Sequence, residues 1–126
     1  MERLKLDAVM MKFIYITCNI SGLEQIEELL RRMKIKNYQI IPKVLAESEF
    51  DIPRKDTAIW PSYNASVLVQ ESDEEKASAL IDAISKLNEQ AFNNSELVSA
   101  HMWSIERSAV VNVIQKIESR NPLKEE

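Results

Sequence analysis

Phe13-Ile14-Tyr15-Ile16-Thr17, running on into Ser21-Gly22-Leu23-Glu24, is the stretch that decides how this chain folds. Its first five residues are aromatic or β-branched and suit a strand. The Ser-x-x-Glu that follows has the pattern of a capping box, in which the hydroxyl accepts from an amide three residues on and the carboxylate reaches back. Ser66-Val67-Leu68-Val69, running into Ser72-Asp73-Glu74-Glu75, repeats the design. Each copy predicts a strand followed by a helix, the helices beginning at Ser21 and Ser72.

Outward from these copies, the chain resolves into alternating patterns. A strand over 12–19 leads to a helix over 21–34 with Leu23, Ile26, Leu30 and Met33 on one face. The next strand, 38–45, contains Pro42, which lacks a ladder donor and so predicts a sheet edge or a bulge. A charged segment, 47–59, is longer than a hairpin requires. A strand over 63–70 then leads to a helix over 72–90 with Ala77, Leu80, Ile81, Ile84 and Leu87 at helical spacing. Residues 92–95 form a turn and 97–105 a fourth strand, and the stripe Val110, Val113, Ile114 and Ile117 predicts a terminal helix over 108–119.

The order βαββαβ with right-handed crossovers gives an α+β ferredoxin-like sandwich, a four-stranded antiparallel sheet with two helices on one face, plus a C-terminal helix. The chain divides into an arm at 1–10, one domain at 11–106, the helix at 107–121 and a polar tail at 122–126. Phe13 and Tyr15 fall on one side of the first strand and Ile14 and Ile16 on the other, while Val67 and Val69 oppose Leu68. A sheet that is apolar on both faces needs a second cover, so self-association as a trimer or dimer is expected.

With 126 residues and 45% hydrophobic content, the chain can bury one core. A net charge of −4 argues against a nucleic-acid surface. RNA-recognition modules share this element order, but they carry a basic Gly-aromatic strand where this chain has Ala65-Ser66-Val67-Leu68-Val69-Gln70. Asp7 and Lys12 interrupt the N-terminal apolar residues, which speaks against a signal peptide. No run approaches the ~20 apolar residues of a membrane span. The single cysteine, Cys18, forms no intrachain disulfide and fits a reducing cytoplasm.

Gly22 is the only glycine, which excludes glycine-rich phosphate loops. Cys18 and His101 lie on strands expected to be neighbours and make a candidate soft-metal pair, with Met102 beside them, although a lone cysteine is more often a small core residue. The 47–59 loop mixes both charge signs and offers Phe50, Ile52, Arg54 and Lys55 to a partner. Trp60-Pro61-Ser62-Tyr63-Asn64 closes it as a stiff aromatic hinge suited to lining a cleft.

The duplicated halves, the long loop between the second and third strands and the Trp60-Pro61-x-x-Asn64 lead into the third strand resemble the P-II-like signalling superfamily over about 11–106. That resemblance implies a ferredoxin-like homotrimer whose protruding loop contacts target proteins, often membrane transporters, and whose intersubunit clefts bind small effectors. The 47–59 loop is shorter than in the nitrogen-signalling members and lacks their modified tyrosine. Where those members carry Thr-Gly-x-x-Gly-Asp-Gly-Lys, this chain has Phe92-Asn93-Asn94-Ser95-Glu96, so their ATP site does not carry over and no cofactor is assigned. Tyr15-Ile16-Thr17-Cys18-Asn19 and a terminal helix are also similar to the trimeric CutA cation-tolerance proteins.

The resulting expectation is a non-enzymatic, cytoplasmic, homotrimeric regulator with Trp60, Tyr63 and Asn64 in an effector cleft and Phe50, Arg54 and Lys55 on a partner loop, binding no nucleic acid and entering no membrane. The alternatives are a dimeric α+β barrel enzyme using His101 or Trp103, and a CutA-like metal binder using Cys18 and His101.

Overall fold

The structure, a computed structural model, describes residues 5–7, 11–49, 51–93, 96–106 and 108–110. Along the chain the elements are β1 (Lys5–Asp7), β2 (Met11–Asn19), a 3-10 turn (Ile20–Gly22), α1 (Leu23–Arg32), β3 (Tyr38–Val44), β4 (Asn64–Glu71), α2 (Glu74–Glu89), β5 (Ser99–Ile105) and β6 (Ser108–Val110). The main sheet is antiparallel with strand order β3-β4-β2-β5, which is the ferredoxin-like arrangement expected from the sequence.

Alternation along β2 sends Ile14, Ile16 and Cys18 to one face, joined by Ala65, Val67 and Val69 of β4. Ile26, Leu29 and Leu30 of α1 and Ala77, Leu80 and Ile84 of α2 close over them, with Ile35 and Val98 at the margins. Asn88 clips α2 to the approach of β5, its side-chain amide donating to the Val98 carbonyl and accepting from the Val98 amide, both at 2.8 Å. No helix among the described residues is long and apolar enough to cross a membrane.

Pro42 acts in both ways the sequence allowed. β3 is an edge strand, and its register against β4 slips between Ile41 and Val44, around the proline.

Three local expectations are corrected. Ser21 does not cap α1; Gly22 holds that position without a side-chain bond, and Asn19 accepts from the Ser21 amide at 3.2 Å. Ser72 does not cap α2 either, because Asp73 accepts from the amides of Glu75 and Lys76 at 2.9 and 3.3 Å while Glu71 accepts from the Asp73 amide. In both places an Asn or Asp one or two residues from the serine supplies the acceptor instead.

The third correction concerns the terminal helix. Ser108–Val110 form a strand paired antiparallel with Lys5–Asp7, so the arm at 1–10 also contains a strand. Val110 belongs to a β-branched run that disfavours helix. The remainder of the 107–121 helix and the 122–126 tail lie outside the described residues.

α1 ends on a full Schellman motif. Ile35 donates to the Leu30 carbonyl at 3.0 Å and Lys34 to that of Arg31 at 3.1 Å, with Lys34 at φ 59° in the left-handed region.

Candidate functional site

The face of the sheet turned away from the helices presents Met11, Phe13 and Tyr15 from β2. Register brings Trp103, His101 and Ile105 of β5 opposite Phe13, Tyr15 and Met11, and Leu68 and Gln70 of β4 opposite Tyr15 and Phe13. Gln39 and Ile41 of β3 continue the row. Phe13 and Trp103 pack with ring centroids 5.8 Å apart, and His101 stacks on Trp103 at 6.1 Å. The Tyr15 and Ser66 hydroxyls are hydrogen-bonded at 2.9 Å. Trp103 is 51% exposed and Ile105 and Ile41 are exposed as well, so the two-sided apolar sheet read from the sequence is present, and no helix of the described chain covers this face.

At the edge of this face lies a cavity of about 340 Å³ lined by Phe13, Lys36, Asn37, Tyr38, Gln39, Leu68 and Gln70. The turn after α1 positions it: the Asn37 carbonyl accepts from the Gln70 amide at 2.9 Å, which ties the start of β3 to the end of β4. The lining residues include two aromatics, a leucine, three amide-bearing residues and a lysine, a set able to hydrogen-bond a small polar ligand.

The residues expected to form the cleft lie elsewhere. Trp60, Tyr63 and Asn64 sit before and at the start of β4, while Leu68 and Gln70 line the cavity toward its other end, about 14 and 20 Å beyond Asn64 for a strand rising ~3.4 Å per residue. Asn64 is buried and its side-chain oxygen accepts from Arg54 Nη1 at 2.9 Å. Tyr63 lies under Lys43 Nζ, 4.9 Å from the ring centroid, and Trp60 is 42% exposed.

Arg54, expected as an exposed partner contact, is only 2% exposed. Its Nη1 also donates to Asp51 Oδ2 at 2.7 Å, and Nη2 is buried with no hydrogen-bond partner among the described residues. Its backbone pairs in both directions with Ala46, so Arg54 is a rivet that fixes the loop to the sheet. Lys55 remains exposed but pairs with Glu47, which holds the Glu47 carboxyl below its ordinary range. Lys43 pairs with Asp56 at 2.8 Å, and that hydrogen bond raises its own pKa. Phe50 lies outside the described residues.

Cys18 and His101 are not brought together. Cys18 points into the core, whereas His101 pairs with Tyr15 on the opposite face. Burial pushes the Cys18 thiol up to about 11, with Arg54 drawing it partly back, so it is protonated at neutral pH and unsuited to bind a metal. Among the described residues no group of three or more His, Cys, Asp or Glu side chains could hold a metal ion.

The cavity leaves no motif in the sequence, because its lining comes from three strands and the turn before β3. The alternation of Tyr38 with Asn37 and Gln39 at the start of an edge strand is its one local trace. The buried role of Arg54 was hidden because its partners, Asp51 and Asn64, lie on two sides of the loop.

No family model matches the chain, and no curated protein does. Solved structures do. The nitrogen regulatory PII-like protein CPII from Thiomonas intermedia K12, solved with ADP, AMP and bicarbonate bound, is 18% identical; the match covers 83% of this chain and 94% of that one, with a TM-score of 0.59. A PII-like signalling protein from Thermus thermophilus is 19% identical over 88% of this chain and 97% of its own, with a TM-score of 0.56. The overall fold is thus shared with proteins of little sequence identity, and the chain has the PII-like fold.

Proposed function

We propose that this chain is a non-enzymatic regulator of the PII-like kind that assembles as a homotrimer through its open sheet face, binds a small effector in clefts between subunits, and contacts a partner protein through the 47–59 loop. The observation that carries the reading is the continuity of the uncovered aromatic face with the edge cavity, since Phe13 belongs to both. A face of this kind needs a cover, and a second copy meeting it at the β3 edge would turn the cavity into an intersubunit cleft.

Phe13, Tyr38 and Leu68 supply apolar contact, Asn37, Gln39 and Gln70 supply hydrogen bonds, and Lys36 supplies a cation. That set fits a planar heterocycle with an anionic tail. CPII was solved with ADP and AMP, so these are the effectors to try first. The sequence 92–95 contains no glycine to wrap a polyphosphate, which favours a ligand with few phosphates.

Native mass spectrometry of the purified protein tests this directly. A trimer that retains or takes up AMP or ADP is the expected result. A monomer at micromolar concentration would overturn the reading.

A further inference from the structure

We infer that self-association through the open sheet face is proton-sensitive, with His101 as the switch: protonating it on mild acidification drives the copies apart. This rests on the regulator reading and adds a regulation of that same assembly.

His101 is the only histidine in the chain. It stands half-buried on the open face, on β5 opposite Tyr15 of β2. Alternation along β5 puts Ser99 and Trp103 on the same face to either side, opposite Thr17 and Phe13. Its ring stacks on that of Trp103 with an interplanar angle of 23°. Across the sheet, the same face continues with Ser66, Leu68 and Gln70 of β4 and with Gln39 and Ile41 of β3. Among the described residues these rows hold no carboxylate and no ammonium, and Tyr15 is the one other group in them that can titrate. The Tyr15 hydroxyl is engaged with Ser66, and phenols change charge only in alkaline solution. Lys12 falls on the helix side of β2, where its Nζ lies 3.2 Å from Glu74 Oε1, and Lys36 stands at the β3 side, in the edge cavity.

In a separate copy, a protonated His101 keeps water on its exposed side. A second copy laid on the face brings the same uncharged rows, so the cation is shut in with no carboxylate from either side, and burying a charge without a partner is strongly disfavoured. Assembled copies therefore hold the neutral imidazole, while separate copies bind the proton. The assembled state binds fewer protons, so association weakens as pH falls.

An imidazole in water changes charge near pH 6.5, so going from about pH 7.5 to about pH 5.5 costs each imidazole that enters the interface about tenfold. Three per trimer make about a thousandfold in the association constant, and about thirtyfold in the concentration at which half the chains are trimeric. Net charge works the other way. The overall −4 shrinks on acidification and repulsion between copies eases, so a weakening of the trimer does not come from that source.

The test is sedimentation velocity of the full-length protein over a dilution series at the two pH values. The midpoint concentration of the parent should rise about thirtyfold on acidification, and that of His101→Gln, which keeps a polar side chain but cannot titrate, should stay within about threefold. Proton NMR of the parent needs no variant, because the chain has a single imidazole. Its signal should titrate at lower pH in concentrated, assembled protein than in dilute protein. The same pH shift in His101→Gln, or an imidazole that titrates alike at both concentrations, would overturn the inference. A parent trimer indifferent to pH sinks this inference alone, whereas a monomer at both pH values removes the regulator reading with it.

Discussion

Replacing Arg54 by Met keeps most of the side-chain volume and removes the guanidinium that rivets the loop. The lost bonds are those from Nη1 to Asp51 Oδ2 and to Asn64 Oδ1, at 2.7 and 2.9 Å. Hydrogen bonds involving a charged group contribute about 1.5–3 kcal/mol each, so about 3–6 kcal/mol is at risk. Against this, the buried and unpartnered Nη2 disappears, which returns about 1–3 kcal/mol. Taken at the midpoints of the two ranges, the net loss should be about 2.5 kcal/mol. Asn64 is 3% exposed and its oxygen is left unsatisfied, whereas the Asp51 carboxylate, with 19% of its side chain exposed, can rehydrate. Urea unfolding at fixed protein concentration should show a lower midpoint with little change in slope. Trypsin should also cut after Lys55 faster, because the Ala46–Arg54 bridge loses its anchor. A loss below about 1 kcal/mol with unchanged cleavage would refute the rivet.

Cys18 gives a pH prediction. Its folded pKa is about 11 against an ordinary 9.0, so below pH 9 both states hold the proton and stability is unaffected. Between pH 9 and 11 the unfolded thiol ionises first, the unfolded state binds fewer protons, and stability falls by up to about 3 kcal/mol. Cys18→Ala should flatten this limb relative to the parent, and parallel curves would show that the thiol is not the cause. Lys34→Gly relieves a left-handed residue at the end of α1 and should raise stability by about 0.5–1 kcal/mol, measured as a higher melting temperature. Trp103→Glu puts a carboxylate on the open face of every copy, so light scattering should report a shift toward monomer; an unchanged trimer would move the interface elsewhere.

The fold was legible because its signal is periodic and local. Ile14, Ile16, Val67 and Val69 are buried where alternation placed them, and Pro42 marked the edge and the bulge from one missing donor. Helix starts were read one or two residues off because Ser, Asn and Asp are near-equivalent caps, and only geometry chooses Asp73 over Ser72. The site was much less legible. A cavity assembled from Phe13, Asn37 and Gln70 depends on strand register, which no local pattern encodes. Arg54 looked like a surface cation because a charged loop in sequence gives no sign of which charge turns inward. Cys18 and His101 were near in strand order, but a three-residue offset puts them on opposite sides of a pleated sheet.

The interrupted register at Pro42 bears on the shape of any assembly. An outer strand with an unbroken row of amides and carbonyls is a template for another copy, and growth by strand addition has no natural stopping point. Here Pro42 and Lys43 sit in the irregular stretch between the Ile41 and Val44 pairings, so the margin of β3 is kinked and short of a donor. Growth along that margin is discouraged while the broad aromatic surface stays available. Copies that meet surface to surface about a rotation axis close into a counted ring, whereas copies that meet margin to margin extend into a fibre. One proline therefore biases this small sheet toward finite association.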